Sequence, residues 1–234
     1  MRATGAFANN TIEEMDFIQR LKKREMLGKP GDVIVREGET GGELHTLLSG
    51  WAFRFRTLRD GGRQILNFLL PGDFIGLQEQ LSTGSPYGVE LLTHARLCTF
   101  QTNRLWELYR AHPQLGYDVT WLVAHEELIV DENLVSVGQR TAQQRIAMLL
   151  VHLFKRAEQL SLKHADGSVP FPVTQQHMAD ALGLSLVHTN KSLRKLTEAG
   201  VHTILDNRLW LLKPDVLRRL ADYHSLPLRT RPLI

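Results

Sequence analysis

The stretch from Thr174 to Leu196 limits most strongly which folds this chain can adopt, because it has the pattern of two short helices that cross at a tight turn. Thr174 and Ser185 are residues that cap helix N-termini, and each precedes a segment suited to a helix. Ala179 is small where two crossing helices must approach, and Gly183 stands where the turn needs a positive φ. The spacing predicts a helix-turn-helix, which places its second helix in the major groove of DNA. An ordinary αα-hairpin in a helical core is the alternative.

The residues that follow this motif add a second DNA-binding feature. Gly200 ends the second helix, and the sequence VHTILDNRLWLL at 201–212 reads as two short strands. Asp206 and Asn207 tolerate the backbone conformation that a two-residue hairpin turn needs. A helix-turn-helix followed directly by a hairpin is a winged helix, and Arg208 on the wing would flank the same groove as the basic residues of the helix.

Charge is distributed unevenly along the chain, which has 28 Lys and Arg against 25 Asp and Glu in total. Residues 138–220 contain 12 basic and 6 acidic side chains, whereas residues 1–137 contain 14 and 18. A basic C-terminal third behind an acidic front is the layout expected when one end contacts DNA phosphates.

Length and composition exclude several other classes of protein. The 234 residues suffice for two modest domains, no apolar run reaches 18 residues, and the first ten residues lack a signal-peptide pattern. We therefore expect a cytoplasmic protein with no membrane association. The single cysteine, Cys98, excludes an internal disulfide framework and a four-cysteine metal or cluster site within one chain.

Glycines divide the N-terminal half of the chain into short segments. Twelve of the 18 glycines lie between Gly28 and Gly88, where they separate short apolar runs. In Trp51–Arg56, aromatic residues alternate with other side chains as in a half-buried strand, which predicts that Arg54 and Arg56 face away from the core. Many short strands at this spacing indicate a compact antiparallel sandwich or barrel.

Four segments of this front half, together with the winged helix, carry a resemblance to a known family. They read GDVIVREGE (31–39), LLSG (47–50), DGGRQIL (60–66) and LPGDFIGL (70–77). In this order they resemble the CRP/FNR family of bacterial transcription regulators over roughly residues 28–220. The resemblance implies an α+β protein with an N-terminal antiparallel β-roll sensor (jelly-roll-like, of the cyclic-nucleotide-binding type), a long dimerisation helix and a C-terminal winged helix-turn-helix. We expect the sensor at 12–112, the helix at 113–137, the DNA-binding domain at 138–222 and a tail at 223–234.

The predicted long helix begins at Pro113 and runs to about Val137, with Gly138 as the hinge before a further helix at 141–163. Its apolar stripe could pack on the chain's own sheet or on a second copy of the chain. One recognition helix contacts only half of a two-fold symmetric DNA site, and the resemblance implies dimers, so we expect a homodimer. The expected seam consists of Leu115, Val119, Leu122 and Ile129. Glu126, near this stripe, is expected to be solvated.

The sensor segment differs from relatives that bind cyclic AMP. In those relatives a Gly-Glu-Leu turn binds the ribose hydroxyl, and a following Arg neutralises the cyclic phosphate. Here the turn reads Gly76-Leu77-Gln78, and no Arg occurs between Arg63 and Arg96. A buried phosphate without its cation would cost several kcal/mol, so we expect no cyclic AMP and no resident cofactor. The candidate pocket for an unidentified effector comprises Phe74, Gly76, Leu77, Gln78 and Tyr87.

Two alternatives involve a metal. A haem-sensing regulator of the same fold is one, since His45, His94, Cys98 and Met26 could supply axial ligands. The iron–sulfur sensors of the family use N-terminal cysteines, which residues 1–30 lack. A cupin-like small-barrel metalloenzyme is the other, but such enzymes need clustered ligands such as His-x-His, and the sequence contains none. We expect no bound metal, no catalytic residues and no enzymatic activity.

The sequence also predicts which residues contact double-stranded DNA at a palindromic operator. The residues expected to contact the DNA backbone are Thr174, Gln176, Arg194 and Arg208. The residues expected along the groove-facing edge of the second helix are Ser185, Val187, His188, Asn190 and Lys191. Relatives such as the catabolite activator place Glu and Arg where this chain has Val187 and Lys191, so its half-site should differ from theirs. The resemblance implies RNA polymerase as a further partner.

Overall fold

The computed structural model describes residues 6–78, 83–223 and 230–234. The chain divides into two compact units, one built from residues up to 62, 66–129 and 230–234, the other from residues 63–65 and 130–229. In the parts of the chain that the structure describes, no helix is both long enough and apolar enough to cross a membrane.

The first unit is built on two four-stranded sheets. Its strands are β1 (Lys22–Gly28), β2 (Val33–Val35), β3 (Leu44–Ser49), β4 (Ala52–Thr57), β5 (Arg63–Leu69), β6 (Phe74–Ile75), β7 (Gly88–Leu91) and β8 (Ala95–Phe100). The strand orders are β1-β8-β3-β6 and β2-β7-β4-β5, with antiparallel neighbours. Side chains from both sheets, Leu47 and Leu97 from one and Ala52 and Val89 from the other, form one core between them. The antiparallel sandwich predicted from the glycine spacing is confirmed, as is the β-roll that the family resemblance implies.

Helices cover the other face of the β1-β8-β3-β6 sheet. They are α1 (Ile12–Leu21), α2 (Leu105–Ala111) and the start of α3 (Pro113–Gln139), with a 3-10 turn at Thr102–Arg104 before α2. Because strand side chains alternate, Leu44 and Phe100 point from this sheet into a second core, where they meet Phe17 of α1 and Leu108 of α2. The central strands β3 and β8 are therefore largely buried on both faces.

The face of α3 that enters this second core corrects the predicted dimer seam. Leu115, Val119 and Leu122 are buried there, and Ile129 is buried further along the helix. Side chains already covered by their own chain cannot form a seam with a partner, so the expectation that these four residues form it is wrong. Of the two packings that the stripe allowed, the structure has the packing on the chain's own sheet.

The end of α3 also differs from the prediction. The helix continues through Gly138 to Gln139, and the Arg140 N–H donates to the Ser136 carbonyl at 3.2 Å. The break follows at Thr141, which caps α4 (Ala142–Gln159) in a capping box with Gln144. A strong start signal for the next helix, rather than the glycine, sets this boundary. The helix predicted at 141–163 ends earlier because Ser161 adopts a positive φ of 56°.

Strand β4 corrects two further expectations. Arg54 does not face solvent: it is 6% exposed, on the same side of the strand as Ala52, which lies in the core between the sheets. Its Nη1 lies 2.9 Å from Oε1 of Glu126 on α3. Glu126 is therefore not solvated either, since its side chain is only 19% exposed. The ion pair explains both positions, because a buried guanidinium needs an opposite charge beside it.

The second unit is a helical domain with a small sheet. Besides α4 it contains β9 (Val169–Pro170), α5 (Gln175–Leu182), α6 (Leu186–Glu198), β10 (His202–Leu205), β11 (Arg208–Leu211) and α7 (Pro214–Ala221). The sheet order is β10-β11-β9, and both pairings are antiparallel. Helix α4 packs against α6 and α7, with Ile146 and Leu150 fully buried. The predicted winged helix is confirmed.

Candidate nucleic-acid interface

Helix α5 begins at the predicted cap. The Thr174 Oγ1 accepts a hydrogen bond from the His177 N–H at 3.1 Å, and the Thr174 N–H donates to His177 Nδ1 at 3.2 Å. This capping box needs an unprotonated Nδ1 as acceptor. Burial lowers the pKa of His177, so the ring stays neutral and keeps that role.

The turn between α5 and α6 has the geometry that the sequence predicts. Gly183 adopts φ 61° and ψ 40°, and Ser185 Oγ accepts from the His188 N–H at 3.2 Å to cap α6. Sequence reasoning missed Arg145 of α4, whose Nη1 donates to the Leu182 carbonyl at 2.9 Å and so caps the end of α5. An Arg on a helix gives no sequence signal of such a long-range contact.

Helix α6 separates its side chains into an inner and an outer face. Leu193 and Leu196 are buried, together with Thr189 and Ser192. The predicted groove-facing residues are all exposed; they are Ser185, Val187, His188, Asn190 and Lys191. The structure thus brings this set onto one accessible face of a capped helix.

The four predicted backbone contacts are also exposed. Thr174 forms the capping box with His177, and the side chains of the other three also have partners in this chain. Gln176 Nε2 donates to Asp180 at 2.7 Å. Arg194 pairs with Glu198 at 2.8 Å, and Arg208 at the start of β11 pairs with Asp166 at 3.2 Å. Exposed pairs of this kind are weak and readily exchanged for another anion such as a phosphate.

The wing places Arg208 directly after its turn. Asp206 and Asn207 have φ values of 50° and 56°, and Leu205 pairs with Arg208 across the hairpin. Two successive positive φ values are those of the type I′ turn that the Asp-Asn pair predicts. Arg208 therefore stands at the tip of the wing, beside the turn.

Of the predicted effector pocket, Phe74 and Leu77 line a small cleft against α3 within the first unit. The cleft has a cavity volume of about 20 Å³, which is room for about one water molecule. Gln78 and Tyr87 meet beside it, since the Tyr87 hydroxyl donates to Gln78 Oε1 at 2.8 Å. Gly76 does not line the cleft; its φ of 104° serves a close approach to the backbone at Glu43.

A polar network that sequence reasoning missed surrounds this pair. Arg54 contacts Glu126 and lies over the Tyr87 ring, 4.8 Å from its centroid. Gln78 Nε2 donates to Glu126 Oε2 at 3.2 Å. The network therefore links β4, the segment before β7 and α3 through residues that are far apart in sequence.

The candidate haem ligands are dispersed among the strands. His45 on β3 is buried, its Nδ1 lies 3.2 Å from Thr99 Oγ1, and burial lowers its pKa to about 4. Cys98 on β8 is buried as well, and burial raises the pKa of its thiol. His94 is exposed, and Met26 on β1 packs against the core between the sheets. Within the described ranges, no three His, Cys, Asp or Glu side chains come together as a metal site.

Known proteins resemble the chain in both units. A family model for the cyclic nucleotide-binding domain matches residues 28–112, and one for the Crp-like helix-turn-helix domain matches residues 144–220. The nitrogen fixation regulation protein FixK of Bradyrhizobium diazoefficiens is 29% identical over 206 residues, which cover 86% of this chain and 85% of that protein. Its namesake in Azorhizobium caulinodans is 30% identical over 204 residues, covering 83% and 79%.

A solved structure supports the same assignment at the level of the fold. FixK2 from Bradyrhizobium japonicum matches with a TM-score of 0.76 and 21% identity, over 86% of this chain and 98% of that one. These relatives are regulators, and the metalloenzyme alternative finds no support among them. The chain belongs to the CRP/FNR family of DNA-binding transcription regulators, and it is not an enzyme.

Proposed function

We propose that the chain is a homodimeric regulator that reads a palindromic operator with α6 of each protomer and receives a signal at its β-roll. The observation that carries the proposal is α6 itself, which is capped at Ser185, anchored by buried leucines, and exposes a row of residues able to contact bases. In this division, residues 12–112 are the sensor, α3 is the dimerisation helix, and the winged helix up to residue 222 binds DNA.

Base readout is assigned to four exposed side chains. Lys191 can donate to guanine O6 and N7, Asn190 can pair with adenine N6 and N7, and Val187 can contact a thymine methyl. His188 lies at the same edge near the start of the helix. Lys191 lacks the two-pronged fork of Arg, so its preference for guanine rests on fewer hydrogen bonds.

Register on the DNA is assigned to residues around this edge. Thr174 and Gln176 at the start of α5 are exposed, as are Arg194 and Arg208. The two arginines would exchange Glu198 and Asp166 for phosphate oxygens, a replacement in which each keeps a charged hydrogen-bond acceptor. Such contacts position the protein without selecting a sequence.

Dimerisation is assigned to the face of α3 opposite the buried stripe. Large apolar side chains remain exposed on α3 outside that stripe; they are Tyr117, Val123, Leu128, Val130, Leu134 and Val135. Exposed apolar residues in such a row are typical of an interaction surface, and two-fold symmetry lets the same face serve both protomers. RNA polymerase is a further partner in this proposal.

The signal in this proposal is neither haem nor a cyclic nucleotide held by a Gly-Glu-Leu turn and a following Arg. Arg54, the buried cation nearest Tyr87, is already paired with Glu126, and His45 is packed between strands. We therefore expect cyclic AMP and cyclic GMP at millimolar concentration to give no thermal shift. A stabilisation of about 2.7 kcal/mol, as from a hundredfold excess over Kd, would contradict this part of the proposal.

The main test is selection of binding sites from random duplex DNA by the purified full-length chain at fixed salt. The expected product is a two-fold symmetric site with half-sites about one helical turn apart. Enrichment of an asymmetric site, or no enrichment over input, would contradict the proposal.

A further inference from the structure

Residues 230–234 return to the first unit and are bound there through both backbone and side chains. Arg231 forms a parallel bridge with Phe7: the Ala8 N–H donates to the Arg231 carbonyl at 2.7 Å, and the Arg231 N–H donates to the Ala6 carbonyl at 3.0 Å. The backbone of the segment is thus held by a single β-bridge to residues 6–8.

The apolar residues of this segment enter the core beside the β1-β8-β3-β6 sheet. Leu233 and Ile234 are buried, and Ile234 packs in the same cluster as Phe74 and Leu122. The Thr46 hydroxyl on β3 donates to the Ile234 carbonyl at 2.5 Å. These side chains therefore complete a core that is formed by the sheet and α3.

The basic residue of the segment meets a buried acid at the cleft. Arg231 Nη2 lies 2.6 Å from Oδ1 of Asp73, and both residues are buried. The other carboxylate oxygen of Asp73 accepts from the Leu70 N–H at 2.8 Å. Arg231 and Asp73 both line the cleft, together with Asn67, His125 and Glu126.

We propose that residues 230–234 are an intramolecular ligand of the β-roll, and that the cleft is a binding site for a guanidinium followed by an aliphatic segment. Arg231 places a guanidinium nitrogen 2.6 Å from Asp73 Oδ1, and its loss would remove this cation from a buried carboxylate in a cleft that Glu126 also lines. A diffusible effector that enters here must replace both the guanidinium and the aliphatic side chains. Its chemical class is therefore a basic, apolar molecule such as a short Arg-containing peptide, the opposite charge to a nucleotide.

The first test separates the segment from the rest of the chain. A variant of the protein that ends before Thr230 is titrated with an N-acetylated peptide of residues 230–234. Binding is followed by calorimetry and thermal melting. Saturable binding and recovery of several degrees in Tm are expected. A control peptide carrying Arg231→Met should bind at least about thirtyfold more weakly, because it removes the buried ion pair with Asp73. Equal binding of both peptides, or a truncated protein that melts like the full-length chain, would overturn the proposal.

A second test covers the case in which the truncated protein does not fold. In the full-length chain, Arg231→Met, Asp73→Asn and the double variant are compared by thermal melting. Asp73→Asn keeps an acceptor for the Leu70 N–H while it removes the charge. The double variant should melt no lower than the worse single variant, because the two changes remove one shared interaction. Additive losses of Tm would show that the two residues are not coupled.

Discussion

The ion pair between Arg54 and Glu126 offers the sharpest test of how the sensor is held together. The two side chains are 8% and 19% exposed, and their nearest atoms are 2.9 Å apart. Arg54 also stacks over Tyr87, and Glu126 accepts a hydrogen bond from Gln78. Each charge is therefore satisfied chiefly by the other, and replacing one of them leaves its partner buried without a counter-charge.

The expected cost follows from this geometry. Breaking a buried pair from one side costs about 3–5 kcal/mol, and loss of the cation–π contact adds about 1 kcal/mol. Glu126 keeps some exposure and the bond from Gln78, so we expect Arg54→Met to cost about 3–4 kcal/mol. The double variant Arg54→Met with Glu126→Met should cost less than Arg54→Met alone, because two apolar side chains leave no unpaired charge.

The measurement is urea unfolding of the full-length chain, with hydrogen exchange in β4 and α3 to separate the sensor from the other unit. Glu126→Gln tests the same pair from the other side, since it removes the charge that faces Arg54 while it retains an acceptor for Gln78. The reasoning would be refuted by an Arg54→Met variant within about 1 kcal/mol of wild type. A double variant that shows the full added cost of both single changes would refute it equally.

Three further predictions concern DNA readout, assembly and acid stability. Lys191→Ala should relax the base preference at one symmetric pair of operator positions. Arg194→Ala should instead weaken binding to all sites alike and lower the slope of log affinity against log salt concentration by about one, which binding measurements at several salt concentrations would show. Leu134→Arg, at a residue 71% exposed on α3, should yield monomers in sedimentation, whereas the control Leu58→Arg, 54% exposed on the β-roll, should leave the dimer intact. Burial lowers the pKa of His45 from 6.5 to about 4. On acidification, His45 is therefore protonated at a lower pH in the folded chain than in the unfolded chain. The unfolding free energy should therefore fall by up to about 3 kcal/mol between pH 6.5 and 4, and His45→Gln should remove that part of the acid sensitivity in denaturant titrations.

The helix-turn-helix was predictable because its determinants are local. Thr174 and Ser185 each accept a hydrogen bond from the backbone N–H three residues later in the chain. Gly183 adopts a positive φ that its lack of a side chain allows. The hairpin turn at Asp206–Asn207 is local in the same sense. A single sequence contains all the information that such features need.

The polar network of the sensor was not predictable for the opposite reason. In β4, alternation separates Arg54 from Phe53 and Phe55, but it does not tell which face is inside. That choice depends on Glu126, which lies on a helix more than 70 residues later in the chain. Phe53 is fully buried, as the aromatic pattern suggests, but Arg54 on the other face is buried as well. Neither that burial nor the burial of Glu126 can be inferred without knowing that the two side chains pair.

In the long helix α3, the sequence pattern alone does not tell which apolar face packs on the chain's own sheet, and the burial of the side chains does. It carries apolar residues on two faces, and the sequence does not rank them. The structure covers Leu115, Val119 and Leu122 with the chain's own core, which leaves no exposed apolar surface on that side to explain. The residues that stay exposed, among them Leu128 and Leu134, are the ones that still lack a covering partner in the described chain. Because Glu126 lies on this same helix and lines the cleft, a change in the cleft would act directly on the element that carries the proposed seam.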